Sequence, residues 1–149
     1  MQILVYVVFL ALVVGGGSLL GISNTPDGWY AALDKPFFNP PNWIFGPVWT
    51  LLYVIIAIAG ARTWLRRNTG GAMTAWWVQL GLNFLWSPVF FTLQSPIAAL
   101  AVIVALLASI VVFIRTSWEG DRVSASLFVP YLAWVAFATL LNASIVYLN

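Results

Sequence analysis

Five long apolar segments run through this chain and limit what it can fold into. They cover residues 3–22, 47–65, 73–93, 96–114 and 124–148. Each is close to the roughly 20 residues that an α-helix needs to cross a bilayer. Strands of a membrane β-barrel would be about half as long and would alternate in polarity. The sequence therefore predicts an all-α integral membrane protein, a single domain of residues 1–149 built as a bundle of five transmembrane helices.

The composition supports a membrane location. Hydrophobic residues make up 62% of the chain and charged residues only 7%, whereas soluble domains carry about 25% charged residues. A soluble fold of this size could not bury so much apolar surface, because small domains leave much of their surface in contact with water. The formal net charge is only +2 and the arginines are scattered, so we expect no nucleic-acid partner. The lipid bilayer is the expected surrounding.

The chain has no cysteine and no histidine, which excludes several kinds of chemistry. Disulfides, the usual nitrogen and sulfur zinc sites, and haem held by a His or Cys axial ligand are ruled out. Ser-His and Cys-His nucleophilic catalysis lack their base. The four carboxylates, Asp27, Asp34, Glu119 and Asp121, lie in predicted loops, so none is placed as a membrane proton relay. We expect no metal site and no required cofactor.

Prolines mark the ends and the predicted bends of the helices. Pro47 and Pro96 fall where the first turn of a helix tolerates proline, and Ser95 is a favourable N-cap. Pro88 and Pro130 lie inside predicted spans, where each removes a backbone hydrogen bond. We therefore expect a kink at each of these two positions.

The positive charges predict an orientation. Five spans place the two termini on opposite sides of the membrane. The opposite side from the N-terminus carries only Lys35, whereas the N-terminal side carries Arg62, Arg66, Arg67, Arg115 and Arg122. By the positive-inside rule we expect the N-terminus in the cytoplasm, and the first loop and the C-terminus outside.

The first loop, residues 23–45, is rich in aromatic residues and proline. Its second half is stiffened by Pro36, Pro40 and Pro41. Its aromatic rings need an interface or an apolar partner; they belong to Trp29, Tyr30, Phe37, Phe38 and Trp43. The loop either forms an aromatic belt at the headgroup level or folds as a lid over the helix ends. Its composition favours neither alternative.

Polar and aromatic residues recur on one face of three predicted helices. The faces comprise Trp49, Tyr53 and Ile56; Trp76, Gln79, Asn83, Trp86, Ser87 and Phe90; and Tyr131, Trp134, Ala138, Asn142 and Ile145. They could converge on an uncharged pocket for flat aromatic or sterol-like molecules. Alternatively, the amides only hydrogen-bond neighbouring helices and the tryptophans belong to an interfacial belt. Small residues at Gly17 and Gly21 indicate close helix packing, within the bundle or at a dimer seam.

Three longer motifs resemble a known family. They are W-Y-x-x-L-x-K-P-x-x-x-P-P-x-W-x-F-x-P-x-W-T-x-L-Y at residues 29–53, L-N-F-L-W-S-P-V-F-F at 82–91 and P-Y-L-A-W-V-A-F-A-T-L-L-N at 130–142. In this order they are similar to the TspO/MBR family, the translocator proteins once called peripheral benzodiazepine receptors. The resemblance covers the whole chain.

The resemblance implies a receptor with a pocket beneath the first loop. It implies binding of tetrapyrroles (protoporphyrin IX, haem), cholesterol and benzodiazepine-type drugs, a role in their transport or in stress signalling, and a homodimer. The implied ligand-binding residues are Tyr30, Pro41, Ile44, Trp49, Tyr53, Asn83, Phe84, Trp86, Trp134, Ala138 and Leu141. The implied lid comprises Trp29, Leu33, Asp34, Lys35 and Pro36, with Tyr30.

The resemblance also implies an alternative enzymatic function. Some bacterial members promote light-dependent breakdown of protoporphyrin IX, and the two tryptophans implicated correspond to Trp49 and Trp134. The cholesterol motif of animal members is incomplete here, because Leu141 and Tyr147 are followed by no Lys or Arg. The short C-terminus lacks a basic tail, which indicates a bacterial member, and we expect a bacterial cell membrane.

Overall fold

The computed structural model describes residues 1–24, 28–66 and 71–149, and all regular secondary structure in these ranges is helical. The helices are α1 (Gln2–Ser23, with a π-helical turn at Ala11–Gly15), α2 (Gly28–Ala32), α3 (Asn42–Arg66), α4 (Ala72–Ser87, continued by a π-helical segment at Pro88–Thr92), α5 (Pro96–Ser117) and α6 (Arg122–Leu148). Of the sequence predictions, those concerning Asp27 and Arg67 lie outside the described residues.

Four of these helices, α1, α3, α5 and α6, are long and apolar enough to cross a membrane. The prediction of an all-α membrane protein is therefore confirmed. With its π-helical segment, α4 has a similar length but is less apolar, because it carries Gln79, Asn83 and three tryptophans. Both amide side chains are buried, so the polar groups of α4 are turned into the bundle.

The helices pack in a closed ring. Around the bundle the order is α1, α3, α6, α5 and α4, and α4 returns to the C-terminal part of α1. Ser95 caps α5, as predicted, because its Oγ accepts a hydrogen bond from the backbone N–H of Ala98 at 3.3 Å. The short connection before it makes α4 and α5 antiparallel neighbours.

The start of α3 differs from the prediction. The helix begins at Asn42 rather than at Pro47, so Pro47 lies inside it. Because proline has no N–H, only the carbonyl of Trp43 loses its intrahelical partner, and the helix tolerates this loss near its end. The extra turn carries Asn42, Phe45 and Gly46 toward the first loop, where they contribute to the site described below.

The two internal prolines have different surroundings. At Pro88 the backbone changes from α- to π-helical, and the N–H of Leu93 donates to the Pro88 carbonyl at 2.9 Å. Such π-helical turns occur frequently at functional sites. Pro130 lies within α6, which continues without interruption to Leu148.

A buried tryptophan joins α3 and α4. The indole of Trp76 is fully buried and donates a hydrogen bond from Nε1 to the carbonyl of Ile56 at 2.9 Å. A Cβ added at Gly60 would lie 2.4 Å from this ring. Glycine at position 60 therefore lets α3 and α4 approach closely.

An ion-pair cluster closes the end of the bundle away from the first loop. Asp121 is 6% exposed, lies 2.9 Å from Arg62 and 3.2 Å from Arg66, and accepts a hydrogen bond from the backbone N–H of Ser124 as the N-cap of α6. Burial alone would raise the pKa of Asp121, but the hydrogen bonds from Arg62 and Ser124 outweigh it and lower the pKa below its ordinary value.

Candidate ligand-binding site

A cavity of about 460 Å³ lies between the helix ends beneath the first loop. Helices α1, α3, α4 and α6 form its walls, and the loop contributes Tyr30 and Asn39. None of the described lining residues is charged. The lining residues include Gly17, Asn24, Asn42, Phe45, Trp49, Tyr53, Asn83, Trp86, Phe90, Phe91, Ala138, Leu141, Asn142 and Ile145.

Tyr30 covers the cavity from the first loop. Its buried ring meets Phe90 and Phe91 edge-on, with centroid distances of 6.0 and 5.4 Å. Its hydroxyl donates to Asn39 Oδ1 at 3.5 Å, and the Lys35 ammonium lies 4.7 Å from its ring centroid. Burial raises the pKa of Tyr30 and the Asn39 hydrogen bond opposes this, so the phenol stays neutral at physiological pH.

Two aromatic rings of α3 form one side of the site, and a ring of α6 packs behind them. Trp49 lines the cavity, and its ring contacts Tyr53 at a centroid distance of 5.9 Å. Behind it, Trp134 meets Trp49 edge-on at 6.4 Å. The buried Nε1 of Trp134 has no hydrogen-bond partner among the described residues.

Tyr53 is held between two neighbouring helices. Its ring contacts Phe84 of α4 edge-on at 6.4 Å. On its other side, a Cβ at Gly17 of α1 would lie 2.5 Å from the Tyr53 ring. The absence of a side chain at position 17 thus makes room for the Tyr53 ring at the cavity wall.

Hydrogen bonds between helices fix two of the asparagine side chains that line the cavity, Asn83 and Asn142. Asn142 accepts from Trp86 Nε1 at 3.0 Å and donates to the Pro96 carbonyl at 2.9 Å. Asn83 donates to the Tyr131 hydroxyl at 2.6 Å. A role in helix packing and a role in the pocket are therefore compatible for these residues, because both asparagines join helices and both line the cavity.

The sequence of residues 7–148 matches the model of the TspO/MBR family. The chain belongs to the TspO/MBR family. It is 40% identical over 148 residues to the tryptophan-rich protein TspO of Archaeoglobus fulgidus, covering 98% of this chain and 96% of that protein. The tryptophan-rich sensory protein of Cereibacter sphaeroides is 36% identical over 144 residues, 97% of this chain and 90% of that protein. The human translocator protein is 33% identical over 121 residues, 76% and 70% of the two chains.

The cavity of this TspO/MBR member brings together seven of the eleven residues that the resemblance implied for ligand binding. They are Tyr30, Trp49, Tyr53, Asn83, Trp86, Ala138 and Leu141. The other four, Pro41, Ile44, Phe84 and Trp134, lie outside the lining.

The positions of the other four residues explain why they do not line the cavity. The α3 residues that do are at positions 42, 45, 46, 49, 50 and 53, a helical spacing that leaves Ile44 on another face. Pro41 precedes the helix. Phe84 lies behind Tyr53, and Trp134 behind Trp49.

Several lining residues were not predicted as ligand-binding. Asn24 and Asn39 read as loop residues in the sequence. Asn24 is instead buried at the end of α1, where it donates to the Leu20 carbonyl at 2.8 Å and accepts from the Thr92 hydroxyl. Asn42 and Phe45 were missed because α3 was expected to begin later. Their spacing from Trp49 is helical and is the signal that could have found them.

The implied lid residues occupy different environments. Trp29 contacts Phe90 edge-on at 5.8 Å, and Leu33 packs against the cluster around Tyr30. Asp34 is exposed, and its backbone is hydrogen-bonded by the side chain of Asn149. Exposed rings also occur in this region, since Phe37 is 99% and Trp43 73% exposed. Such rings fit the interfacial belt, whereas Tyr30 lies over the cavity.

Proposed function

We propose that this TspO/MBR protein is a membrane receptor for flat, largely apolar molecules, with tetrapyrroles such as protoporphyrin IX and haem as the leading ligand class. The observation that carries the proposal is the cavity of about 460 Å³, whose described lining is aromatic, aliphatic, amide and hydroxyl, without charge. Its volume lies within the range of small-molecule sites. Cholesterol and benzodiazepine-type drugs are the next candidates.

The lining supplies both stacking and orientation. Trp49, Tyr53 and Trp86 present indole and phenol rings, which favour offset or edge-on contacts with a flat aromatic ligand. The Nδ2 of Asn83 donates to the Tyr131 hydroxyl. The side-chain oxygen of Asn83 can therefore accept a hydrogen bond from a ligand N–H or O–H. A pyrrole N–H of a free-base porphyrin supplies such a donor.

The proposal includes a membrane arrangement. We assign α4 as a fifth span, because it takes part in the closed helix ring and buries Gln79 and Asn83 inside it. With five spans and the distribution of positive charges, the N-terminus is cytoplasmic and the cavity opens toward the opposite side. The proposal also includes a homodimer, as the family resemblance implies. The names of two relatives, a tryptophan-rich sensory protein and a translocator protein, fit a sensing and a carrier role respectively.

Equilibrium titration with protoporphyrin IX, followed by quenching of tryptophan fluorescence, tests the receptor function. We expect saturable binding that is weakened at least about tenfold by Trp49→Ala combined with Trp134→Ala. Trp64→Ala is the matched control, because Trp64 lies on α3 outside the cavity and is half exposed. Undiminished affinity in the double variant would contradict the assignment of the cavity as the binding site.

A second candidate function is light-dependent porphyrin breakdown, favoured by the edge-on contact of Trp49 with Trp134. A photo-excited porphyrin can take an electron from a nearby indole, and dioxygen is the oxidant for the later opening of the ring. This chemistry needs no acid–base pair. Illumination of the complex in air should bleach the porphyrin absorbance, and Trp49→Phe with Trp134→Phe should abolish the protein-dependent part. Equal bleaching by the variant or by detergent alone would refute this function.

A further inference from the structure

The side chain of Asn149 joins the end of α6 to the first loop. Its Nδ2 donates to the carbonyl oxygen of Asp34 at 2.8 Å, and its Oδ1 accepts from the backbone N–H of Asp34 at 3.2 Å. The primary amide thus pairs with both backbone groups of one residue that is 115 positions away in the sequence. The side chain of Asp34 takes no part in this contact.

Asn149 is itself fixed to the wall of the cavity. It is the C-cap of α6, and its backbone N–H donates to the carbonyl of Ile145 at 3.1 Å. Its Nδ2 also donates to the same carbonyl at 2.8 Å. Since Ile145 lines the cavity, the amide that holds the loop is anchored on a helix that forms the site.

The held segment of the loop is a small closed unit. The Lys35 ammonium donates to the carbonyls of Ala31 and Leu33 at 3.4 and 3.2 Å and lies over the Tyr30 ring. The N–H of Leu33 donates to the Tyr30 carbonyl at 3.2 Å. A tether at Asp34 therefore also restrains Tyr30, which covers the cavity.

We propose that Asn149 is a positioning residue that clasps the first loop over the cavity and thereby sets how fast ligands enter and leave. The ligand part of this inference rests on the proposed function, whereas the clasp itself does not. Both hydrogen bonds to Asp34 are exposed to solvent, so each contributes modestly. The clasp slows exchange rather than preventing it, and its loss increases loop opening by about three- to tenfold.

The clasp is tested without any ligand through a single introduced cysteine. The chain contains no cysteine, so Leu33→Cys provides one thiol at a half-buried loop position. Its alkylation rate by a water-soluble maleimide in nanodiscs reports loop opening. Asn149→Ala should raise this rate about three- to tenfold. Asp34→Ala should leave it unchanged, because the clasp uses only the Asp34 backbone, and so should Ser144→Ala, whose hydroxyl bonds its own helix.

Two labelling results would overturn the clasp. One is an alkylation rate in Asn149→Ala equal to that of the parent. The other is an increase of the same size in Asp34→Ala, which would show that the side chain of Asp34, not its backbone, restrains the loop.

Stopped-flow mixing with protoporphyrin IX tests the consequence for exchange. Asn149→Ala should raise the association and dissociation rate constants together, with the Kd changed less than either rate. Faster labelling with unchanged ligand rates would refute the gating role. If protoporphyrin IX binds to no variant, including the parent, the proposed function fails for this ligand, and the labelling experiment still decides the clasp.

Discussion

The indole ring of Trp49 meets that of Trp134 edge-on, with their centroids 6.4 Å apart and their planes at 87°. Of these two tryptophans, Trp49 lines the cavity and Trp134 does not. Trp134 is packed behind it and also contacts Phe45, at a centroid distance of 5.8 Å. The two tryptophans that the family resemblance treats alike therefore have different positions relative to the cavity. On the proposed function, we expect Trp49 to contact the ligand and Trp134 to support Trp49 from behind.

This difference predicts unequal effects of single substitutions on protoporphyrin IX affinity. Trp49→Phe removes part of the stacking surface and should weaken binding about tenfold. Trp134→Phe keeps an aromatic ring behind Trp49 and should weaken it only about two- to threefold, since supporting contacts contribute less than central ones. Fluorescence or absorbance titration measures both. A larger loss for Trp134→Phe would show that Trp134 contacts the ligand directly.

Gly17→Ala should narrow the cavity. The added Cβ would lie 2.5 Å from the Tyr53 ring, so the ring must move. The open space beside the ring is the cavity, and the ring would move into it. We expect at least a threefold weaker affinity for protoporphyrin IX, with a cost of about 1 kcal/mol in stability. Gly21→Ala is the control, because Gly21 lines the same cavity and its Cβ would meet nothing within 4 Å. Equal affinities for the two variants would contradict this account of the wall.

Gly60→Ala should act on stability instead. The Cβ would lie 2.4 Å from the Trp76 ring, which is fully buried and hydrogen-bonded to the Ile56 carbonyl. This ring is fully buried and does not line the cavity described above, so α3 and α4 must separate, at a cost of about 2–3 kcal/mol. A thermal melt in detergent should show a clearly lowered Tm for Gly60→Ala and a much smaller change for Gly17→Ala. The reverse order would be inconsistent with the packing described.

The Asp121 cluster predicts a pH dependence of stability. Its folded-state pKa is lowered, so its contribution is complete above its ordinary pKa, near 4, and is lost as the pH falls through the lower folded-state pKa. Asp121→Asn should reduce the free energy of unfolding at neutral pH by about 1–2 kcal/mol. The loss is modest because asparagine still caps the helix and because solvent screens the pair with the half-exposed Arg66. Melting temperatures of parent and variant should converge at low pH. A constant difference down to pH 3 would argue against an ionised Asp121 as the cause.

The fold class was predictable because apolar length is a strong signal and lipid permits few backbone solutions. The start of α3 was not predictable, because Pro47 is typical of the first turn of a helix. Proline is also tolerated in the second turn, which is where it lies here. That one turn decided whether Asn42 and Phe45 were assigned to a loop or to the site. Local sequence signals determine helix ends less firmly than tertiary packing does.

The site was predictable in part, for a similar reason. Helical spacing and motif together found Trp49, Tyr53 and Asn83, which all line the cavity. Motif alone could not separate Trp49 from Trp134, because which of two touching rings faces the cavity depends on how α3 and α6 pack. The pairing of Asn149 with Asp34 joins residues far apart in the chain, and no local pattern indicates it.

Filling the cavity is the most direct test of the central claim, that this cavity is the ligand-binding site. Ala138 is buried and lines it, so Ala138→Phe should occupy ligand space without removing any stacking ring. Ala101→Phe makes the same change at an exposed position of α5 and serves as the control. We predict that, in a protoporphyrin IX titration in the dark, Ala138→Phe binds at least tenfold more weakly while keeping a near-parental Tm, and that Ala101→Phe binds like the parent. Parental affinity in a folded Ala138→Phe variant would contradict the account.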